Sequence, residues 1–201
     1  MNLVWPAAPI AAVPVTGTDA HLPVHRIYCV GRNYAAHARE MGGNPEREPP
    51  FFFCKPADAV LVAPAGVTVS MAYPSATRDL HHEIELVVAI GRAGRDIAVE
   101  RSLDHVFGYA VGLDMTRRDL QGEAKKTGRP WETGKAFDRS APIAPLRRAS
   151  DIGHPAHAAI WLEVDGSERQ RSDIDQLIWS VPEVIANLSS LFNHTAAAVI
   201  Y

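Results

Sequence analysis

The sequence predicts a mixed α/β, β-rich fold: a sheet-dominated domain with a few flanking helices. Three observations predict it. Short runs of β-branched and aliphatic residues recur between Gly and Pro breaks. One pair of runs is joined by Asp165–Gly166, a dipeptide suited to a two-residue hairpin turn. Helical segments are few and do not alternate with the strands, as a doubly wound parallel sheet would require.

Residues 1–24 are punctuated by Pro6, Pro9 and Pro14 and read as an extended segment. Arg26–Gly31 is a strand ending at a Gly turn, and Asn33–Met41 is Ala-rich and helix-prone. Residues 42–50 (GGNPEREPP) form a loop. Phe51–Lys55 and Val60–Val62 are strands around a Pro56 turn, and His82–Ile90 is a strand closed by Gly91. Val106–Leu113 is a further strand. Thr116–Lys126 is a helix ended by Gly128 and Pro130. Ala159–Val164 and Glu168–Ser172 make the hairpin. Ser180–Phe192 is a helix with Ser180 and Glu183 at capping-box spacing and Pro182 in its first turn. The last residues, Val199–Ile200–Tyr201, read as the middle of a strand, so further residues are expected beyond them.

The bulk properties exclude several function classes. The chain has 201 residues, 47% hydrophobic and 21% charged, enough for one sizeable core and against a disordered chain. A net charge of −3 gives no basic excess for nucleic acid. The apolar start lacks a basic n-region, so neither a signal peptide nor a membrane association is expected. Cys29 and Cys54 are too few for a disulfide framework, and reduced thiols fit a cytoplasmic location. No GxSxG, Walker or GxGxxG motif occurs, and the histidines show no HExxH spacing.

The main chemical signal is Glu83 with Glu85. On a strand, these i and i+2 side chains share a face, here with Val87 and Ala89. Two carboxylates on a largely apolar face are costly unless a cation compensates them, and hard oxygen donors suit Mg²⁺, Mn²⁺ or Ca²⁺ rather than zinc. The bland alternative is a solvated strand face. Asp114 ends an apolar strand and precedes a helix, which fits either a third ligand or a helix cap. His37 and Glu40, three apart, suit a carboxylate-held general base, or a surface pair. Lys135 lies in a Gly/Pro-rich loop, where it could meet a developing enolate or simply be solvated.

Six stretches occur in an order that resembles the fumarylacetoacetate hydrolase family, in its fumarylpyruvate hydrolase and acylpyruvase branch. They are YCVGRNYAAHAREMG (28–42), PPFFFCKPADAV (49–60), LHHEIELVVAIG (80–91), YAVGLDMTRRDLQ (109–121), GRPWETGKAFDRSAPIAP (128–145) and LIWSVPEVIANLSSLF (177–192). The resemblance implies a mixed β-sheet roll, commonly dimeric, with residues 25–201 as the catalytic domain. It implies a cation held by Glu83, Glu85 and Asp114, and water activation by His37 and Glu40. It also implies an active-site Lys135 and a substrate pocket lined by Arg118 and Gln121. Arg32 and Lys55 fall in the family's Gly-Arg-Asn and Lys-Pro motifs, and the resemblance places Arg32 among the substrate-binding residues. The implied reaction is hydrolytic cleavage of a carbon–carbon bond in an acylpyruvate, a 1,3-diketo acid, with fumarylpyruvate as the expected substrate. Alternatives on the same site are oxaloacetate decarboxylation and isomerisation of a dienoic acid. The family continues past the position of Tyr201 into a Thr-Gly-Thr-Pro loop, and an inactive metal-binding homologue is the remaining alternative.

Overall fold

A computed structural model of the chain describes residues 2–34 and 48–201. Its centre is an eight-stranded mixed sheet. The strands are β3 (Arg26–Gly31), β4 (Phe51–Lys55), β5 (Val60–Val62), β7 (Ile84–Ile90), β8 (Val106–Leu113), β10 (Ala141–Ile143), β11 (Arg147–Arg148) and β14 (Ala198–Ile200). The path runs β4-β3-β14-β7-β8-β10-β5, with β11 on β8. Three two-stranded pairs accompany it: β1 (Ala12–Pro14) with β2 (His21–Pro23), β6 (Leu80–His81) with β9 (Thr116–Arg117), and β12 (Ala159–Val164) with β13 (Ser167–Asp173). The helices are α1 (Arg118–Thr127), α2 (Glu132–Lys135), α3 (Ala149–Ile152) and α4 (Val181–Leu191).

Period-two alternation sorts the central strands onto two cores. Ile27, Cys29, Val87, Ala89, Val199 and Tyr201 enter one cluster. Tyr28, Val88, Ile90, Ala198 and Ile200 enter the other. The β1–β2 pair closes the first face, burying Val13 and Leu22. Helix α4 closes the second with Val184, Ile185 and Leu188, one stripe of its surface. Its start is held by Glu183, which accepts from the Ser180 backbone N–H at 3.0 Å and from the Ser180 hydroxyl at 2.7 Å.

The terminal residues Val199 and Ile200 form a central strand, parallel to β3 on one side and antiparallel to β7 on the other. This is why so apolar a run is stable there. Asp165 and Gly166, both at positive φ (52° and 73°), turn β12 into β13 in two residues.

Three elements differ from the sequence expectation. The strand expected over 82–90 begins at Ile84, because Leu80–His81 pair instead with Thr116–Arg117. The same pairing delays the helix expected from Thr116, so α1 begins at Arg118. Lys135, expected in a loop, closes the one-turn helix α2. Most of the segment expected as helix at 33–41 lies outside the described residues.

Candidate active site

The site forms at one end of the sheet, where β3, β8 and β14 finish and β4 and β7 begin. Antiparallel pairing sets Ile84 opposite Leu113 and Glu85 opposite Gly112. One step beyond, the Asp114 backbone N–H donates to the Glu83 carbonyl at 2.9 Å. Glu83 and Asp114 are therefore cross-strand neighbours, and Glu85 stands two residues along from Glu83. Their carboxylate oxygens all lie within 4.8 Å of one another. Asp114 is buried at 1% exposure, and it is not the helix cap, a position held by Arg117.

Three cations meet this triad. Lys135 Nζ donates to Glu83 Oε2 at 2.7 Å and to Asp114 Oδ2 at 2.5 Å. Lys55 Nζ lies 2.8 Å from Asp114 Oδ1 and donates to the Met115 carbonyl at 3.1 Å and to that of Lys135. Arg118 donates to Glu83, and at 2.7 Å to the Gln121 side-chain oxygen. Burial favours the neutral amine of Lys135, but the adjacent Asp114 and Glu83 carboxylates outweigh it, and its pKa lies above the ordinary lysine range. Lys135 is held as a cation.

Glu85 is treated differently. Burial raises its pKa well above the usual carboxylate range, and the Asp114 and Glu83 charges add to this. Its Oε2 is enclosed and has no hydrogen-bond partner, and among the described residues no cationic side chain pairs with it. A buried carboxylate of this kind is costly unless it is protonated or a cation is supplied. The donor set fits a hard divalent cation: three convergent carboxylates, one of them uncompensated.

A cavity opens over the triad. Its wall includes Arg32, Glu83, Glu85, Asp114, Arg118, Gln121 and Lys135, so these residues marked in the sequence share one site. His37 and Glu40 lie outside the described residues. Further wall residues that spacing did not single out include Tyr34, Phe53, Lys125, Trp131 and Tyr201. The Tyr34 hydroxyl is enclosed without a partner, and burial together with Glu85 keeps it protonated. Lys55 carried only a motif as a signal, yet it is among the most buried charges in the chain at 1% exposure.

Local structure explains how Lys135 reaches the acids. Gly128, at φ 64°, caps α1 and releases the chain into α2. Gly134 then packs so closely that a Cβ there would stand 2.9 Å from the Gln121 backbone nitrogen. That contact presses α2 onto α1 and turns Lys135 inward.

The curled mixed sheet and its acidic cluster define a class of β-rich proteins that carry a hard-cation type of centre at the sheet end. Within that class the chain belongs to the fumarylacetoacetate hydrolase family: residues 26–201 match the fumarylacetoacetate (FAA) hydrolase C-terminal domain. The crystal structure of fumarylpyruvate hydrolase from Pseudomonas aeruginosa, in complex with Mn²⁺ and pyruvate, is 60% identical. It superposes with a TM-score of 0.98, covering 100% of this chain and 86% of that one. The mitochondrial oxaloacetate tautomerase of Oryza sativa is 41% identical over 167 residues, 83% of this chain and 73% of the relative. A mitochondrial oxaloacetate decarboxylase of Dictyostelium discoideum is 39% identical over 83% of this chain and 74% of the relative. Among the described residues no helix is long and apolar enough to cross a membrane.

Proposed function

We propose that the chain is a Mg²⁺- or Mn²⁺-dependent hydrolase that cleaves the carbon–carbon bond of an acylpyruvate, with fumarylpyruvate giving fumarate and pyruvate. The observation that carries the reading is the convergence of Glu83, Glu85 and Asp114 beside Lys135 in one cavity. The 60% identity to a fumarylpyruvate hydrolase supports the substrate class over the oxaloacetate chemistry of relatives near 40%.

The bound cation would supply a template and Lewis acid for the keto acid's oxygens. Glu83, Glu85 and Asp114 would hold it. Without an ion, Lys55, Lys135 and Arg118 pair with Asp114 and Glu83, and Glu85 has no such partner among the described residues. A divalent ion then leaves a positive surplus that an anionic keto acid offsets, so ion and substrate favour each other's binding.

With His37 and Glu40 assigned as the water-activating pair, a proton passes from water to His37 and the hydroxide adds to the carbonyl of the acyl group. Collapse of that adduct breaks the bond to the three-carbon fragment, which departs as the enolate of pyruvate and is then protonated on carbon. Lys135, fixed as a cation beside Glu83 and Asp114, would stabilise that enolate charge without reorganising. Arg118, held by Gln121, fixes Glu83 and lines the cavity.

A homodimer and a cytoplasmic location belong to the same proposal. Val111 and Trp161, 45% and 52% exposed, leave apolar surface for a second copy. The free thiols Cys29 and Cys54 suit a reducing compartment.

Assaying fumarylpyruvate, acetylpyruvate and oxaloacetate side by side, with Mn²⁺ and with chelator, tests the reading. Chelator-sensitive release of fumarate and pyruvate is expected, lowered about 10²–10⁴-fold in His37→Ala with Mn²⁺ affinity retained. Faster turnover of oxaloacetate than of either acylpyruvate would replace the hydrolase with a decarboxylase or tautomerase.

A further inference from the structure

We propose that Lys125, together with Arg32, forms a subsite for a carboxylate at the far end of the acyl group. The preferred substrate is then an acylpyruvate whose acyl chain is itself a carboxylic acid. This rests on the hydrolase reading above and names a residue that reading does not use.

Arg32, Arg118 and Lys125 all line the cavity. Arg118 is committed to Glu83 and Gln121. Arg32 and Lys125 are not committed: no carboxylate pairs with either among the described residues. Lys125 is partly buried, and its pKa is lowered by that burial and by the neighbouring Arg32 and Arg118 charges. Neighbouring like charges, of which Arg32 and Lys125 have no paired carboxylate among the described residues, are a cost to the free protein, and an anionic ligand lowers it.

The spacing fits a second anionic end. Arg118, Gln121 and Lys125 follow one stripe of α1, at i, i+3 and i+7. Arg118 touches the acidic triad, and Lys125 lies about 10 Å further along the helix axis. A four-carbon diacid attached to pyruvate is long enough to bridge the two. Phe53 and Trp131, on the same wall with ring centroids 5.8 Å apart, offer apolar surface to the chain between. Lys126, the next residue, is exposed and outside the cavity wall, and provides a control of equal charge.

The test is the ratio of kcat/KM for fumarylpyruvate to that for acetylpyruvate, which lacks the distal carboxylate. Lys125→Gln should lower this ratio on the order of 10–100-fold, the worth of one charge-assisted hydrogen bond. Arg32→Gln should shift it the same way, and Lys126→Gln should leave it at the wild-type value. An unchanged ratio in Lys125→Gln, or an equal shift in Lys126→Gln, overturns the subsite. Calorimetric titration of the Mn²⁺-loaded protein with fumarate and with crotonate, which replaces one carboxylate by methyl, gives a readout independent of turnover. Wild type should prefer fumarate, and Lys125→Gln should lose the preference. If the wild type hydrolyses neither acylpyruvate, the hydrolase reading falls. The titration still decides the subsite, and a preference that does not depend on Lys125 removes it.

Discussion

Lys55 Nζ lies 2.8 Å from Asp114 Oδ1, although the strands that carry or position them, β4 and β8, are four places apart in the sheet. In a flat sheet those strands would be separated by roughly 19 Å. The contact exists because the sheet curls, and it closes the curl across the site. The pair is also almost dry, with side-chain exposures of 0% and 2%.

Lys55→Met should therefore be costly. The substitution keeps the length of the side chain but leaves Asp114 with one ammonium fewer in a buried position. Removing one partner of a buried ion pair costs about 3–5 kcal/mol. Denaturant unfolding of the metal-free protein should register this. Added Mn²⁺ should recover part of the loss, since a cation replaces the missing charge. A stability unchanged from wild type would mean that the pair does not hold the curl.

Glu85→Gln should improve the ion-free protein and spoil the loaded one. The carboxylate is raised in pKa and has no cationic partner, so a neutral amide removes a penalty. The melting temperature without metal should rise or hold, while Mn²⁺ affinity by calorimetry falls at least tenfold. Equal affinity in the two proteins would remove Glu85 from the ligand set.

Gly134→Ala should disable the site without touching a charged group. The new Cβ meets backbone atoms of Gln121 at 2.9 and 3.1 Å, and backbone cannot swing aside. Helix α2 must shift, and Lys135 with it. Overpacking of this kind costs about 1–3 kcal/mol. Turnover should fall further than that destabilisation explains, because a displaced Lys135 no longer meets the departing enolate. Normal kcat in a folded variant would count against the placement of Lys135.

His194 predicts an acid-sensitive core. Its ring is 2% exposed, with Nε2 3.3 Å from the Ile185 carbonyl and Nδ1 enclosed without a partner. Burial lowers its pKa, and the nearby His105 adds to this. The unfolded chain therefore binds a proton more readily than the folded one. The neutral ring supports full stability above the unfolded histidine value of about 6.5, and stability is lost as pH falls below it toward the depressed folded value. Thermal melts across this window should show a steeper acid decline in wild type than in His194→Gln. Parallel profiles would assign the decline to other groups.

Much of this protein was legible in the sequence because the signals are local. Alternation in β7, the Asp165–Gly166 turn and the Ser180–Glu183 box each depend on residues a few positions apart. The same local rule placed Glu83 and Glu85 side by side, since a strand repeats every two residues. Boundaries at 82–83 and 116–117 were not legible, because the β6–β9 pairing joins residues some 35 positions apart. Spacing left Lys135 as a solvated loop residue or an active-site group, and Lys125 and Tyr201 passed unmarked. What decided for them was tertiary: the register that sets Asp114 opposite Glu83, the close approach at Gly134, and the curl that carries Lys55 to Asp114. Sequence fixes which face a side chain takes on its own strand. Only the closing of the sheet fixes which distant charges must share one dry space.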